Sequence, residues 1–288
     1  MLVRGYSKAL FSTWFYVPDV RAVFDAGEGI NFSLGGRLTK ADVVFLTHGH
    51  SDHFTGLLNL IIARTRLGPG KSEDPMPQLT IFYPEADANL RLYIDYIQRH
   101  LEANHFPEVA VFRPVKPGEE HPMPGQRKRF IRTFPVRHGQ LPSVGYIIFE
   151  TRDKLRPEYE GRPPREVGQL IQGQGKEKIL IPIDVSLVCY TGDSECAVEA
   201  PCDAPKLLLH EATFLTEDDR NGSFHATLAE ALDSARRMQA RQLLLFHFSA
   251  RYFAEDIRRA LSELLEAAPM PGCQVGYALP GRMYVSEE

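Results

Sequence analysis

The sequence predicts an α/β fold in which strands and helices alternate along one large domain. Short apolar runs of strand length are followed by segments in which apolar residues recur at helical spacing. Polar residues of the types that bind metals stand where several of these runs end. The 288 residues are 43% hydrophobic and 24% charged, which is ordinary for a globular protein. A chain of this length can bury a large core without disulfide bonds.

The first third of the chain already shows this alternation. Strands are predicted at residues 21–25, 42–47 and 79–83. The first of them ends at an acidic turn that contains Gly27 and Gly29. Residues 55–67 have the character of a helix, and Gly68-Pro69-Gly70 would end it.

A longer helix and a pair of strands are predicted next. Between residues 85 and 104, apolar residues recur three or four positions apart, at Leu90, Ile94, Ile97 and Leu101. This periodicity predicts an amphipathic helix with one buried face. Residues 130–136 and 144–149 are predicted to form a further pair of strands.

Residues 151–178 interrupt the pattern. They are rich in glycine and proline and show little apolar periodicity. We expect an exposed excursion built from loops or a short helix, and not a second core. Because candidate site residues run from position 48 to position 247, we expect residues 1–288 to form a single domain.

Regular alternation then resumes to the end of the sequence. Strands are predicted at residues 185–190, 206–210, 242–246, 275–278 and 283–285. Thr227 followed three positions later by Glu230 is the pattern of a capping box and predicts the start of a helix. Residues 251–267 predict the last helix, with Ile257, Leu261 and Leu264 facing inward.

The most informative motif is His48-Gly49-His50-Ser51-Asp52-His53, just after a predicted strand. Neutral imidazole and carboxylate groups are good ligands for zinc and similar divalent ions. Side chains two positions apart in an extended segment share a face, so His48 and His50 can bind one metal. Asp52 and His53, where the chain turns, can reach a second. The plainer interpretation is a polar loop in water, which is disfavoured because further candidate ligands follow.

Three more candidate ligands, His138, Asp193 and His247, stand at the ends of later strand-like runs. In layered α/β proteins, strand ends deliver side chains to one edge of the sheet. We therefore predict that one metal is bound by His48, His50 and His138, a second by Asp52, His53 and His247, and that Asp193 bridges them. Positions remain open for water, as a catalytic site requires.

Two divalent ions about 3.5–4 Å apart can activate a water molecule and stabilise both oxygens of an in-line displacement. This chemistry suits the hydrolysis of a phosphodiester, and it also suits amides, esters and thioesters. The ligands alone therefore predict a metal-dependent hydrolase without choosing its substrate.

The H-x-H-x-D-H motif is that of the metallo-β-lactamase superfamily, and other motifs resemble one family within it. His210-Glu211-Ala212-Thr213, His225-Ala226-Thr227 and His247-Phe248-Ser249 are similar to motifs of RNase Z, the tRNA 3′-processing endonuclease family. The resemblance covers roughly residues 20–285. It implies the superfamily's four-layer αββα sandwich, two zinc ions (or manganese or another divalent ion) on the seven candidate ligands, and commonly a homodimer.

The resemblance also implies catalytic roles. Asp52 would be both a metal ligand and the proton acceptor for the attacking water. Glu211 and His225 match a carboxylate–histidine pair near the scissile phosphate, in which His225 stabilises charge or protonates the departing oxygen. Glu211 would fix the tautomer of His225 and favour its charged form. Asp25 is expected to support a ligand, and His210 is either such a support or a core histidine.

Two features depart from the typical RNase Z pattern. Typical members carry a basic Pro-Lys-x-Arg-Asn-like loop that contacts the tRNA 3′ region, and residues 11–18 lack it. Typical bacterial members also extend a long arm that grips the tRNA elbow. Residues 151–178 occupy that place, with seven basic and five acidic residues and so a net charge of only +2. A weakly basic surface lowers the expected affinity for RNA.

Two substrates therefore remain open, precursor tRNA and a small phosphodiester such as a cyclic nucleotide. Another hydrolase class, such as thioesterase or lactonase, is a weaker alternative. Non-catalytic metal binding is disfavoured because every ligand and both auxiliary residues are present. The net charge of −4 is not that of a general nucleic-acid binder, which leaves Arg127-Lys128-Arg129 as a candidate basic patch. With no long apolar run, no signal-peptide pattern and no C-x-x-C spacing, we expect a cytoplasmic protein that does not bind membranes.

Overall fold

The computed structural model describes residues 1–68, 77–106, 108–195, 201–220, 222 and 224–286. The strands are β1 (Arg4–Lys8), β2 (Ser12–Val17), β3 (Ala22–Phe24), β4 (Val43–Phe45), β5 (Leu79–Pro84), β6 (Ala110–Val115), β7 (Glu120–Pro122), β8 (Arg129–His138), β9 (Leu141–Leu155), β10 (Leu180–Tyr190), β11 (Leu207–Glu211), β12 (Gln242–Phe246), β13 (Gln274–Tyr277) and β14 (Met283–Val285). The α-helices are α1 (Ile30–Leu34), α2 (Ser51–Phe54), α3 (Leu57–Leu67), α4 (Ala88–Ala103), α5 (Pro164–Gln174), α6 (Lys176–Ile179), α7 (Leu228–Arg237) and α8 (Ala254–Ala267). Short 3-10 helices lie at Pro18–Val20, Gly35–Lys40 and Pro157–Tyr159.

The strands form two seven-stranded sheets. The first sheet has the order β14-β1-β2-β3-β4-β5-β6, and the second has the order β13-β12-β11-β10-β9-β8-β7. In the first sheet, β3 to β6 are mutually parallel and the remaining pairs are antiparallel. In the second, β10 to β13 are parallel and β7 to β10 are joined by antiparallel pairs. Both sheets are therefore mixed, and the C-terminal strand β14 returns to the first sheet, where it pairs with β1.

Both faces of each sheet are buried, which explains why several strands are apolar throughout. In β2, Phe15 and Val17 enter the core between the two sheets, whereas Trp14 and Tyr16 face the helices outside the first sheet. Alternate residues of a strand point to opposite faces, so a strand between two apolar layers needs apolar side chains at every position.

Helices cover the outer face of each sheet. Helices α1, α3 and α4 pack against the first sheet, and α7 and α8 pack against the second. The resulting order of layers is helix, sheet, sheet, helix, which confirms the predicted α/β four-layer sandwich. The capping box is also confirmed, because Thr227 and Glu230 each accept a hydrogen bond from the other's backbone N–H. Among the described residues, no helix is long and apolar enough to span a lipid bilayer.

Several elements differ from those predicted. The helix predicted at residues 55–67 is α3, which begins at Leu57, and the separate short helix α2 before it was not predicted. The predicted Pro69-Gly70 end of this helix lies outside the described residues. Strands β1, β2, β6 and β7 and helix α1 were not predicted. Residues 151–178 include α5, and strand β9 continues into them as far as Leu155. The strand after this segment begins at Leu180, five residues earlier than predicted.

Candidate metal centre

The candidate site residues lie together where several strands end. His48 follows β4, His138 is the last residue of β8, Asp193 follows β10, and His247 follows β12. In mixed sheets of this kind, the carboxyl ends of parallel strands meet at a common edge, where side chains from distant positions converge. Except for the exposed His50, the seven predicted ligands are buried.

One cluster is formed by His48, His50, His138 and Asp193, whose ligand atoms all lie within 4.8 Å of one another. His50 Nδ1 is 3.1 Å from His48 Nε2 and 3.2 Å from His138 Nε2. Asp193 Oδ2 is 3.6 Å from His48 Nε2. Three imidazole nitrogens and one carboxylate oxygen thus surround a single point.

A second cluster is formed by Asp52, His53 and His247. Asp52 Oδ2 lies 3.6 Å from the Nε2 atoms of both His53 and His247. Asp193 Oδ2 lies 3.3 Å from each of the same two nitrogens. The same Asp193 oxygen therefore contacts both clusters, which is the geometry that a bridging ligand requires.

Three ligand atoms at the clusters have no hydrogen-bond partner in the described part of the protein. His53 Nε2, His247 Nε2 and Asp193 Oδ1 are buried and have no hydrogen-bond partner among the described residues. Buried polar atoms almost always have a partner, so unsatisfied atoms that converge on one point need an explanation. Histidine nitrogens and carboxylates are the donor set that divalent zinc prefers, and the residues present fit such ions.

The opposite ring nitrogens of four ligand histidines, His48, His53, His138 and His247, are held by hydrogen bonds. His138 Nδ1 donates to the Phe224 carbonyl at 2.8 Å, which leaves Nε2 without a proton and able to bind a metal. His48 Nδ1 lies 2.9 Å from Thr47 Oγ1, and His247 Nδ1 lies 2.9 Å from Thr213 Oγ1. Such partners fix the ring orientation and tautomer of metal-binding histidines.

Asp25 supports both clusters from a fully buried position. Its carboxylate accepts hydrogen bonds from His53 Nδ1 at 2.7 Å, the Thr47 backbone N–H at 2.9 Å and the Tyr190 hydroxyl at 2.5 Å. It also accepts from the Thr47 hydroxyl, which in turn accepts from His48. One carboxylate thereby orients a histidine in each cluster.

Glu211 and His225 form a pair beside the two clusters. The buried Glu211 Oε1 accepts a 2.9 Å hydrogen bond from His225 Nδ1, and further bonds come from the backbone N–H groups of Ser194 and Ala226. The His225 ring stacks on His247 with centroids 5.1 Å apart and is 22% exposed. His225 also lies close enough to Asp193 and His247 to form a third possible metal-binding group with them. Its hydrogen bond to Glu211 instead favours the role of a proton donor at the edge of the two clusters.

The backbone around the clusters is unusual. His247 has φ +63°, and Asp25 has φ +53°, a left-handed conformation that is rare for residues other than glycine. Such strain concentrates at functional sites, where the surrounding structure compensates for it. Gly192 has φ +63°, and a Cβ there would lie 2.7 Å from Thr47, so the residue before Asp193 must be glycine.

The surroundings of the candidate ligands shift their pKa values, and these shifts decide which histidines are neutral and able to bind a metal. Burial lowers the pKa of His48 and of His138, so both are neutral, as ligands must be. Burial would lower the pKa of His53, but the carboxylates of Asp193 and Asp25 outweigh it and raise that pKa well above its ordinary value. A divalent cation bound at the second cluster would replace the proton on His53 Nε2.

The pKa of His225 is raised in the same way. Burial lowers it, yet the Glu211 carboxylate dominates and brings the pKa to about 9. His225 therefore carries a positive charge at neutral pH, at the edge of the two clusters.

The structure brings together all seven predicted ligands and both auxiliary residues. His210 is not among them, because it is buried on the other face of β11, with Nδ1 donating to the Glu211 carbonyl at 2.7 Å. The Arg127-Lys128-Arg129 patch lies at the far end of β8, about 30 Å from His138 at roughly 3.3 Å per residue, so it is not part of the metal centre. The sequence did not reveal the supporting roles of Thr47, Tyr190 or Thr213, although Thr47 adjoins one recognised motif and Thr213 lies within another.

Comparison with known proteins agrees with this geometry. Residues 17–248 match the model of the beta-lactamase superfamily domain. A protein named ribonuclease Z from Thermococcus kodakarensis is 32% identical over 265 residues, which cover 81% of this chain and 76% of the relative. Ribonuclease Z from Pyrococcus horikoshii is 31% identical, with 83% of this chain and 81% of the relative covered. The chloroplastic tRNase Z TRZ2 of Arabidopsis thaliana is 28% identical, over 91% of this chain and 71% of the relative.

Solved structures share the fold at lower identity. The short form of human tRNase Z superposes with a TM-score of 0.62 at 20% identity and covers 99% of this chain and 98% of its own. The metallo-β-lactamase-fold protein YhfI from Bacillus subtilis gives a TM-score of 0.61 at 17% identity over 99% and 100% of the two chains. On the sequence matches, the chain belongs to the ribonuclease Z family of the metallo-β-lactamase superfamily and is a metal-dependent hydrolase.

Proposed function

We propose that this protein is a dinuclear-zinc phosphodiesterase that removes the 3′ trailer from precursor tRNA. The observation that carries the proposal is the shared Asp193 oxygen between two histidine clusters, with the Glu211–His225 pair beside them. Its relatives named ribonuclease Z and tRNase Z support tRNA as the substrate.

The proposed ligands follow the two clusters. His48, His50 and His138 would hold one ion, Asp52, His53 and His247 would hold the other, and Asp193 would bridge them. Divalent ions bound there would lower the pKa of a water molecule and neutralise charge on the phosphate. Manganese or another divalent ion could take the same nitrogen and oxygen ligands.

The chain's own residues would move the protons. Asp52 is placed to accept the proton of the attacking water, because its Oδ2 faces the second cluster and is held by the Leu10 backbone N–H at 3.1 Å. His225, kept protonated by Glu211, would donate a proton to the departing oxygen. The carboxylate and the imidazolium therefore supply a general base and a general acid near the same phosphate.

A second candidate function is the hydrolysis of a small phosphodiester. The observation that favours it is the pairing of basic residues in the reduced excursion, residues 151–178. Lys176 binds Asp153 at 2.7 Å, Lys154 binds Glu160 at 3.4 Å, and Arg162 binds Glu166. Cations neutralised in this way contribute little to phosphate neutralisation, so we propose that this excursion is a weak arm for tRNA.

The two candidates can be separated by substrate. The zinc-loaded protein should cut a precursor tRNA once, after the discriminator base, and should not open cyclic nucleotides. Chelated protein and the Asp193→Ala variant serve as controls for contaminating nucleases. Opening of cyclic nucleotides without cleavage of the precursor would instead establish the small-substrate activity.

Replacement of Asp25 by asparagine tests whether the Asp25 carboxylate orients the histidines of both clusters. An amide must present an N–H to one of the donors now bound to the carboxylate, so His53 and Thr47 lose their alignment. We expect zinc affinity to fall about 10- to 100-fold, measured by competition with a chromogenic chelator. Tyr190→Phe, which removes one donor to Asp25 and leaves the carboxylate, is the matched control. Wild-type affinity in Asp25→Asn would show that Asp25 does not orient the ligands.

We further propose that residues 1–288 act as one domain, in a homodimer, in the cytoplasm. The central core contains residues from both sheets, from Val3 to Ala278, which supports a single domain. The described thiols of Cys189, Cys202 and Cys273 are free, as is usual in a reducing compartment. Sedimentation of the purified protein would show whether it is a dimer.

A further inference from the structure

Two cysteines lie in contact on the outer face of the second sheet. Cys189 is fully buried near the end of β10, and Cys202 lies between β10 and β11 with 8% of its surface exposed. Both belong to the core between this sheet and helices α7 and α8, and their side chains hydrogen-bond each other. Within the described part of the chain, no cysteine belongs to a possible metal-binding group. The metal centre therefore leaves this pair of thiols without a role.

A β-bulge in β10 explains why the two thiols meet. The register of β10 against β9 shifts between Ser186 and Val188, so Leu187 is an extra residue. Leu187 and Val188 consequently both enter the core between the two sheets. Ser186 and Cys189, on either side of them, pair with residues of the outer core. Cys202 packs over this outward face and hydrogen-bonds the side chains of Ser186 and Cys189. The backbone of the sheet thus fixes the contact.

The two thiols differ in reactivity. Hydrogen bonds from Cys189 and from Ser186 lower the pKa of Cys202, although burial opposes them. The charges of Asp203 and Arg132 act on that pKa in opposite directions. The bond to Cys202, together with burial, raises the pKa of Cys189 well above that of an ordinary thiol. Since the thiolate is the nucleophile, Cys202 is the thiol that reacts first, and Cys189 is placed to react with it.

We propose that Cys202 and Cys189 are a modification site at which hydrogen peroxide forms a reversible disulfide. The Cys202 thiolate attacks one peroxide oxygen and the O–O bond breaks. Cys202 becomes a sulfenic acid, and the other oxygen leaves as hydroxide and takes up the proton that the thiol released. The Cys189 sulfur then attacks the Cys202 sulfur, the S–O bond breaks, and the hydroxyl leaves as water with the Cys189 proton. Two thiols and one peroxide give a disulfide and two waters, and a dithiol reductant reverses the reaction.

The disulfide would close a ring of the chain that contains Asp193, whose Oδ2 contacts both histidine clusters. Glu195 lies in the same ring and accepts a 2.7 Å hydrogen bond from the backbone N–H of Gly139. The two sulfurs must approach to about 2.05 Å. Since Cys189 is held in a buried strand, Cys202 makes most of this approach. We expect the shift to reach Asp193 and to lower the hydrolytic rate. The rate effect rests on the proposed function, whereas disulfide formation does not.

Peptide mass spectrometry tests the modification. The Cys196→Ser protein is compared with wild type, because Cys196 lies outside the described residues and its thiol must be kept from competing. After peroxide and alkylation, both proteins should yield one peptide pair linked through Cys189 and Cys202, which dithiothreitol separates. Cys273, whose pKa is raised by burial, is the internal control and should react at least about tenfold more slowly than Cys202.

Variants of the pair test the order of the two steps. Cys189→Ala should stop at a Cys202 sulfenic acid that dimedone traps, and Cys202→Ser should form neither the sulfenic acid nor the disulfide. Cys202→Ala replaces the serine variant if that protein does not fold. Oxidation of Cys202 in the wild-type protein without a bond to Cys189, or a bond from Cys202 to another cysteine, would overturn the proposal.

Turnover of a nitrophenyl phosphodiester by the zinc-loaded protein tests the consequence. Disulfide formation should lower the rate about tenfold with unchanged zinc content, dithiothreitol should restore it, and Cys202→Ser should be insensitive to peroxide. An unchanged rate with the disulfide complete, or an equal loss in Cys202→Ser, would refute control through Asp193. A protein that forms the disulfide but hydrolyses no phosphodiester would refute the proposed function and leave the modification site standing.

Discussion

Replacement of Asp52 by alanine is expected to lower phosphodiesterase turnover by about 10⁴-fold or more, the largest loss of any single change. Removal of a general base typically costs about 10²- to 10⁴-fold, and the same substitution removes a ligand of the second cluster. Asp52 Oδ2 lies 3.6 Å from both His53 Nε2 and His247 Nε2, and no other described carboxylate except Asp193 contacts both nitrogens. Turnover should be measured with zinc in excess, and metal content by elemental analysis.

A second substitution at Asp52, together with a control at Asp95, separates metal binding from proton transfer. Asp52→Asn keeps an oxygen that can bind a metal but removes the charge that accepts a proton, so it should retain much of its metal and remain nearly inactive. Asp95→Ala deletes an exposed carboxylate of α4 that pairs with Arg99 and is the matched control. Turnover of Asp52→Ala within tenfold of wild type, with contaminating enzyme excluded, would remove Asp52 from the mechanism.

The fold was predictable where a strand is buried on both faces. Strand β12, Gln242–Phe246, was predicted at its observed bounds because its last four residues are all apolar. They pack alternately into the hydrophobic cores on the two faces of the sheet. Strand β1 escaped prediction because Arg4, Tyr6 and Lys8 alternate with small residues and no apolar run results. Strand β6 contains Arg113 and Pro114 and lies at the edge of its sheet, where proline is tolerated. Pairing with neighbouring strands, rather than local propensity, determines such elements.

The part of the site that could be predicted consists of metal-binding side chains that occur in recognisable motifs. Histidine and aspartate at strand ends could be identified, but the hydroxyl and backbone groups that orient them could not. Tyr190 binds Asp25 across 165 positions of the sequence, and the backbone N–H of His247 is held by Ser7 at 2.9 Å from the other sheet. Tyrosine and serine in such places look like ordinary strand residues. Only the packing of the two sheets brings them to the metal centre.

The leaving group should reveal the role of His225. With a poor leaving group such as a ribose hydroxyl, His225→Ala is expected to reduce the rate about 10²- to 10⁴-fold, because the departing oxygen must be protonated. With a nitrophenolate leaving group, which departs without a proton, the loss should be much smaller. The motivating observation is the 2.9 Å bond between His225 Nδ1 and the buried Glu211, which keeps His225 charged at the edge of the clusters.

The pH dependence follows from the same pair. The active form of His225 is protonated, and its pKa is raised, so its contribution to the rate on a poor leaving group should be complete below that pKa and be lost as pH rises through it. Protein groups alone place the value at about 9, and two bound cations would lower it. Glu211→Gln removes the charge that raises the pKa and should move this fall to lower pH. Equal losses on both leaving groups, or a pH profile that Glu211→Gln leaves unchanged, would contradict an acid role and leave His225 with charge stabilisation alone.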